Sequence, residues 1–141
     1  MDKPIISGDT ITVPSSQDYL ADVDLFIEGT LRGYGLEESV IADIAISVSE
    51  LVNNAILHGN KLSSEKVVKV SICRECAEVQ ISVSDQGTGF DPCCVQDPLE
   101  SENLLREVGR GIFIVRSLMD IVDIKPSASG TTIVISKTIS K

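Results

Sequence analysis

The stretch from about Glu37 to His58 constrains this chain more than any other. Ile41, Ile44, Val48, Leu51, Val52, Ala55 and Ile56 cover so much of a helical circumference that the helix must be largely buried. Yet Asp43, Ser47, Glu50, Asn54 and His58 recur at steps of four, three, four and four, which aligns them in one stripe. A polar stripe on a buried helix needs partners, because an unpaired buried carboxylate is costly. Two readings are open at this point. The stripe is a solvated face, or it is the wall of a site in which a carboxylate polarises a hydroxyl while an amide oxygen one turn away holds a hard metal ion.

The rest of the chain frames this helix. Ile5 to Val13 reads as a strand or hairpin that Pro14 ends, and Thr10-Ile11-Thr12-Val13 alternates polar and apolar. Ser15 or Ser16 can cap a helix with Leu20, Val23, Ile27 and Leu31 on one face, closed by Gly33 and Gly35. Gly59 is suited to a left-handed cap after the polar-striped helix. Val67 to Arg74 and Val79 to Ser84 form an alternating hairpin. Residues 90–108, with Pro92 and Pro98, are long for an ordinary connection and have the character of a lid. A helix from Gly109 to Asp120 and strands over Ile121 to Lys125 and Thr131 to Thr138 complete the chain. The expected fold class is α+β: a two-layer α/β sandwich, with helices on one face of a mostly antiparallel mixed sheet. One domain over residues 1–141 accounts for the length.

Two glycine segments add chemistry. Asp85-Gln86-Gly87-Thr88-Gly89 follows a strand, and its glycines let the backbone turn sharply and approach a ligand. An aspartate fixed at a strand end can accept a hydrogen bond from an exocyclic amine. Gly109-Arg110-Gly111 opens a helix, where free N–H groups suit phosphates. Neither the Walker pattern nor the Rossmann fingerprint is present; position 114 is Ile where the latter needs glycine. Each segment alone is also compatible with an ordinary turn. Their order, ending in Gly130-Thr131-Thr132, points to an ATP site.

Composition excludes other classes. The net charge of −9 disfavours direct nucleic-acid binding and favours a basic protein partner. Aromatics are 4%, so the core must be aliphatic. No apolar run approaches a membrane span and Met1-Asp2-Lys3-Pro4 begins no signal peptide, so the chain reads as cytoplasmic, with no membrane partner. Cys73-x-x-Cys76 with Cys93-Cys94 does not match paired zinc knuckles, and free thiols are expected.

These motifs resemble the GHKL superfamily of ATPases and kinases, with its Bergerat ATP-binding fold. Ser49-Glu50-Leu51-Val52-Asn53-Asn54-Ala55 is similar to its N box, and Asp85 to Gly89 and Gly109 to Gly111 to its two glycine boxes. Asn54-Ala55-Ile56-Leu57-His58-Gly59 and the run from Gly109 to Asp120 resemble the anti-sigma regulatory factors most. The resemblance spans Ile11 to Lys137 and leaves no room for a dimerisation or transducer domain. It implies a serine/threonine-protein kinase using ATP and Mg²⁺. Glu50 would be the general base and Asn54 the Mg²⁺ ligand. Asp85 would bind the adenine amine, with Thr131 nearby. Gly87, Gly89, Gly109, Arg110, Gly111 and Ile112 would complete the ATP pocket. The implied partners are a sigma factor and a STAS-domain anti-sigma antagonist, and related proteins are often homodimers. An ATP-gated binding module, or a switch kinase acting on a signalling scaffold, is the alternative.

Overall fold

The computed structural model describes residues 3–63, 65–75, 77–87, 111–127 and 129–139. Among these, β1 (Ile5–Ser7), β2 (Thr10–Pro14), β3 (Val67–Arg74), β4 (Glu78–Ser84), β5 (Ile121–Ser127) and β6 (Gly130–Thr138) form one sheet in the order β1-β2-β3-β4-β6-β5. Helices α1 (Leu20–Gly33) and α2 (Glu38–Asn54) lie between β2 and β3, and α3 (residues 111–118) precedes β5. The α+β class follows the expectation. The pairing is sharper than a mixed sheet: every described strand pair is antiparallel. The reason is β6, which inserts between β4 and β5 and turns a potential parallel crossover pair into two antiparallel ladders.

Alternation decides the faces. Ile11 and Val13, Val68 and Val70, Val79 and Ile81, and Ile135 point to the helical side and are buried. Val23, Ile27 and Leu31 of α1 and Ile44, Val48 and Leu51 of α2 meet them there. The stretch Glu38–Gly59 is 22 residues long and contains an 18-residue window of mean hydropathy 1.6, the length and composition of a membrane span. Most of its apolar side chains nevertheless belong to the core of this domain, Ile46 being an exposed exception.

The end of α2 departs from expectation. The last turn, Ala55–Gly59, is π-helical, and Asn60 N donates to Ala55 O at 2.7 Å. The left-handed residues that release the chain are Lys61 (φ 51°) and Leu62 (φ 59°), not Gly59. Glycine at 59 answers a different demand, described below. Ser16, rather than Ser15, caps the turn before α1 by accepting from Asp18 N at 3.2 Å.

Candidate functional site

Strand β4 delivers Asp85 to the edge of the helical layer. Asp85 N donates to Thr131 O at 2.9 Å, and Thr131 N donates to Asp85 Oδ1 at 3.1 Å. Gly87 N donates to the same oxygen at 3.0 Å. Backbone crowds in from three sides. A Cβ on Gly59 would stand 2.3 Å from Asp85 Oδ2, one on Gly87 would stand 1.9 Å from Gly59 O, and one on Gly130 would stand 2.0 Å from Asp85 O. Gly130 also has φ +146°, which side chains rarely adopt. The fold thus fixes one carboxylate with two backbone N–H groups and holds Oδ2 against Gly59.

Asn60 is a residue the sequence did not single out. It is 1% exposed and satisfied on both sides. Its Nδ2 donates to Ser15 Oγ at 2.8 Å and to Val67 O at 2.9 Å, and its Oδ1 accepts from Gln86 N at 2.7 Å. Gln86 Oε1 in turn accepts from Val67 N at 2.8 Å, and Ser15 Oγ donates to Lys66 O at 2.6 Å. Asn60 therefore fixes the backbone immediately after Asp85. Its partners are remote in sequence, so only its place at a helix stop was legible.

The polar stripe of α2 divides into two halves. Glu50 and Asn54 meet the start of α3: a Cβ on Gly111 would stand 2.7 Å from Asn54 Nδ2 and 3.3 Å from Glu50 Oε2. Among the described residues, Asn54 Nδ2 is buried without a hydrogen-bond partner. An orphaned buried amide atom is costly and marks a place for a ligand. The amide's two ends are interchangeable by a flip. A carboxylate and an amide side by side are hard oxygen donors of the kind Mg²⁺ takes, so the residues fit that ion. The other half is structural: Asp43 pairs with Lys137 at 3.1 Å, and Ser47 Oγ donates to Asp43 O at 2.9 Å. Asn53 points elsewhere, its Oδ1 accepting from Gln17 Nε2 at 2.9 Å. His58 lies one turn beyond Asn54 and is partly buried.

Glu50 has a second aspect. With Asp24, Glu28, Ala45, Ile46 and Ser49 it lines a groove of about 310 Å³ between α1 and α2. Partial burial pushes the Asp24 carboxyl above its ordinary value, and the Glu28 carboxylate pushes it further in the same direction. Of the remaining expected site residues, Ile112 packs partly buried against the core. Gly89, Gly109, Arg110 and the lid at 90–108 lie outside the described residues. So do Cys76, Cys93 and Cys94; Cys73 is a free, exposed thiol on β3.

Comparison with known proteins agrees with this architecture. The model of the histidine kinase-like ATPase domain matches residues 13–137. The chain is 36% identical over 137 residues to the serine-protein kinase RsbW of Staphylococcus epidermidis, covering 92% of this chain and 85% of that protein. It is 35% identical, with the same coverage, to the serine-protein kinase RsbW of Staphylococcus aureus strain MSSA476. Among solved structures, the RsbU and RsbW domains of a Mycobacterium tuberculosis protein match with a TM-score of 0.64 at 22% identity, over 96% of this chain and 32% of that one. The histidine kinase domain of a blue-light activated kinase from Erythrobacter litoralis matches with a TM-score of 0.52 at 19% identity, over 89% of this chain and 61% of that one. These last two show a shared fold. Taken with the Asp85 node and the Glu50–Asn54 pair at Gly111, the matches place the chain in the histidine kinase-like ATPase family, among the RsbW-type serine-protein kinases.

Proposed function

We propose that this protein transfers the γ-phosphoryl group of ATP to a serine of a partner protein, in the cytoplasm, and that the partner is a STAS-type anti-sigma antagonist. In the same reading it sequesters a sigma factor when the antagonist is phosphorylated. The observation that carries the catalytic part is the meeting of Glu50 and Asn54 with the first described turn of α3 at Gly111.

The roles follow from position. Asp85 Oδ1 is already engaged by Gly87 and Thr131, so Oδ2 is the oxygen available to the adenine amine. The first described turn of α3, at Gly111, supplies N–H groups and partial positive charge toward phosphate oxygens. Gly89, Gly109 and Arg110 complete that cradle in this reading. Asn54, with Glu50 beside it, would hold Mg²⁺, which when bound would supply neutralisation of phosphate charge. Glu50 faces both the groove between α1 and α2 and the α3 side. A serine hydroxyl entering from the groove gives its proton to the Glu50 carboxylate. Its oxygen forms the new bond to phosphorus as the bond to the ADP oxygen breaks.

Labelled ATP incubated with the antagonist tests this. Glu50→Ala is expected to retain ATP binding within a few-fold while transfer falls by about 10²–10⁴. Wild-type labelling of the partner by Glu50→Ala would remove Glu50 from the mechanism. Tight ATP binding by the wild-type protein with no labelled serine would leave an ATP-dependent clamp.

A further inference from the structure

The helical face of β6 carries a charged residue, which does not belong to an apolar layer. Alternation from Ile133 and Ile135 puts Lys137 on the core side of the sheet, and its side chain is 18% exposed. Its Nζ donates to Leu118 O at 2.6 Å, at the C-terminal end of α3, and pairs with Asp43 Oδ2 of α2 at 3.1 Å. A cation at a helix C-terminus is favoured by the aligned peptide dipoles, and here it also receives a partly buried carboxylate.

The next residues reinforce the same corner. Asp120 N donates to Ser136 O at 3.0 Å, and Thr138 N donates to the Asp120 carboxylate. That hydrogen bond holds the Asp120 carboxyl below its ordinary value.

Helix α3 needs this anchor. Over its described residues, Ile112, Val115 and, just beyond the end, Met119 pack on the core, while Phe113, Ile114, Arg116 and Ser117 are exposed. That narrow stripe seats one face of the helix on the core, and a polar tie at each end fixes its position along its axis. The stripe of α2 supplies two more points, Glu50 and Asn54 at Gly111 and Asp43 through Lys137 at Leu118.

We propose that Lys137, braced by Asp43, is a positioning residue for the phosphate end of the nucleotide site: by fixing the C-terminus of α3 it sets where Gly111 stands against Glu50 and Asn54. This rests on the ATP-binding reading above. The adenine end, built from Asp85, Gly87 and Thr131, has no share in the latch, so the two ends respond differently.

The experiment compares the wild-type protein with Lys137→Met and Asp43→Asn. ATP and adenosine affinities are measured by titration, and amide hydrogen exchange is followed in peptides covering residues 111–118. Lys137→Met is expected to bind ATP about tenfold more weakly, the loss of roughly one charge-assisted hydrogen bond, with adenosine affinity within twofold. Exchange in α3 is expected to accelerate, and Lys137→Arg to recover part of the loss. An unchanged ratio of ATP to adenosine affinity, or an equal fall in both, overturns the proposal. Should Lys137→Met fail to fold, Asp43→Asn, which keeps the bond to Leu118 O, decides the same ratio with a smaller shift. Absence of ATP binding by the wild-type protein sinks the functional reading; exchange in α3 then tests the latch by itself, and unaltered protection in Lys137→Met refutes it.

Discussion

Gly59 shows how much one missing methyl group can hold together. The carboxylate its Cβ would meet at 2.3 Å is pinned by Gly87 N and Thr131 N, so the carboxylate cannot swing away without losing both bonds. Gly59→Ala is therefore expected to cost about 1–3 kcal/mol in urea unfolding and to weaken ATP binding more than the latch variants do. Asn60 makes a related demand by different means. Asn60→Ala removes the partner of Gln86 N and Val67 O in a partly buried setting, and the expected loss is about 1–3 kcal/mol. A urea midpoint equal to wild type for Asn60→Ala would show that water replaces all three bonds. The sequence exposed the glycines and Asp85 as a turn, because turn chemistry is local. It hid Asn60, whose hydrogen bonds run to Ser15, Val67 and Gln86.

At the scale of elements, α1 and α2 enclose an acidic groove, and its charge has a measurable sign. Asp24 is raised in the folded state from 3.8, by desolvation first and then by Glu28. A carboxyl raised by folding favours the protonated fold: its contribution is fully present below the unfolded value and is lost as pH rises through the folded one. At neutral pH the charged Asp24 is thus a liability. Asp24→Asn is expected to raise the urea midpoint at pH 7, with the gain shrinking as pH falls toward about 4. Equal midpoints for the two proteins at pH 7 would mean that solvent screens the group fully. The polar stripe belongs to this scale too. Its periodicity was plain in the sequence, but not its division of labour. Asp43 pairs with Lys137 of β6 and Ser47 bonds back within α2, whereas Glu50 and Asn54 face α3, because Lys137 arrives at one end and Gly111 at the other.

For the whole molecule, a nucleotide bound only by the folded state must stabilise it. At a hundredfold excess over Kd the linkage contributes about 2.7 kcal/mol, which raises Tm by several degrees for a chain of this size. Asp85→Asn should remain folded, since its amide oxygen still accepts from Gly87 and Thr131. Its amide nitrogen then opposes the adenine amine donor to donor, and the ATP-induced Tm shift should vanish. An Asp85→Asn protein that ATP stabilises as well as wild type would take Asp85 out of adenine recognition. The net charge of −9 acts on the same scale: self-repulsion makes the fold weaker in low salt, so moderate salt should raise its stability.

By itself the sequence determined the apolar helices, the alternating strands, the glycine segments and the identity of the stripe, since each depends on residues a few positions apart and on backbone periodicity. It pointed to Gly59 for the wrong reason, a left-handed cap, because conformational freedom is legible locally whereas close approach between two distant backbones is not. Only the tertiary structure decided that Gly59 makes room for Asp85, that β6 lies between β4 and β5, and that α2's stripe pairs with Lys137 at Asp43 and meets Gly111 at Glu50 and Asn54. Those outcomes turn on which groups chain closure brings within about 3 Å of each other, and hydrogen bonds and steric overlap are settled at that range.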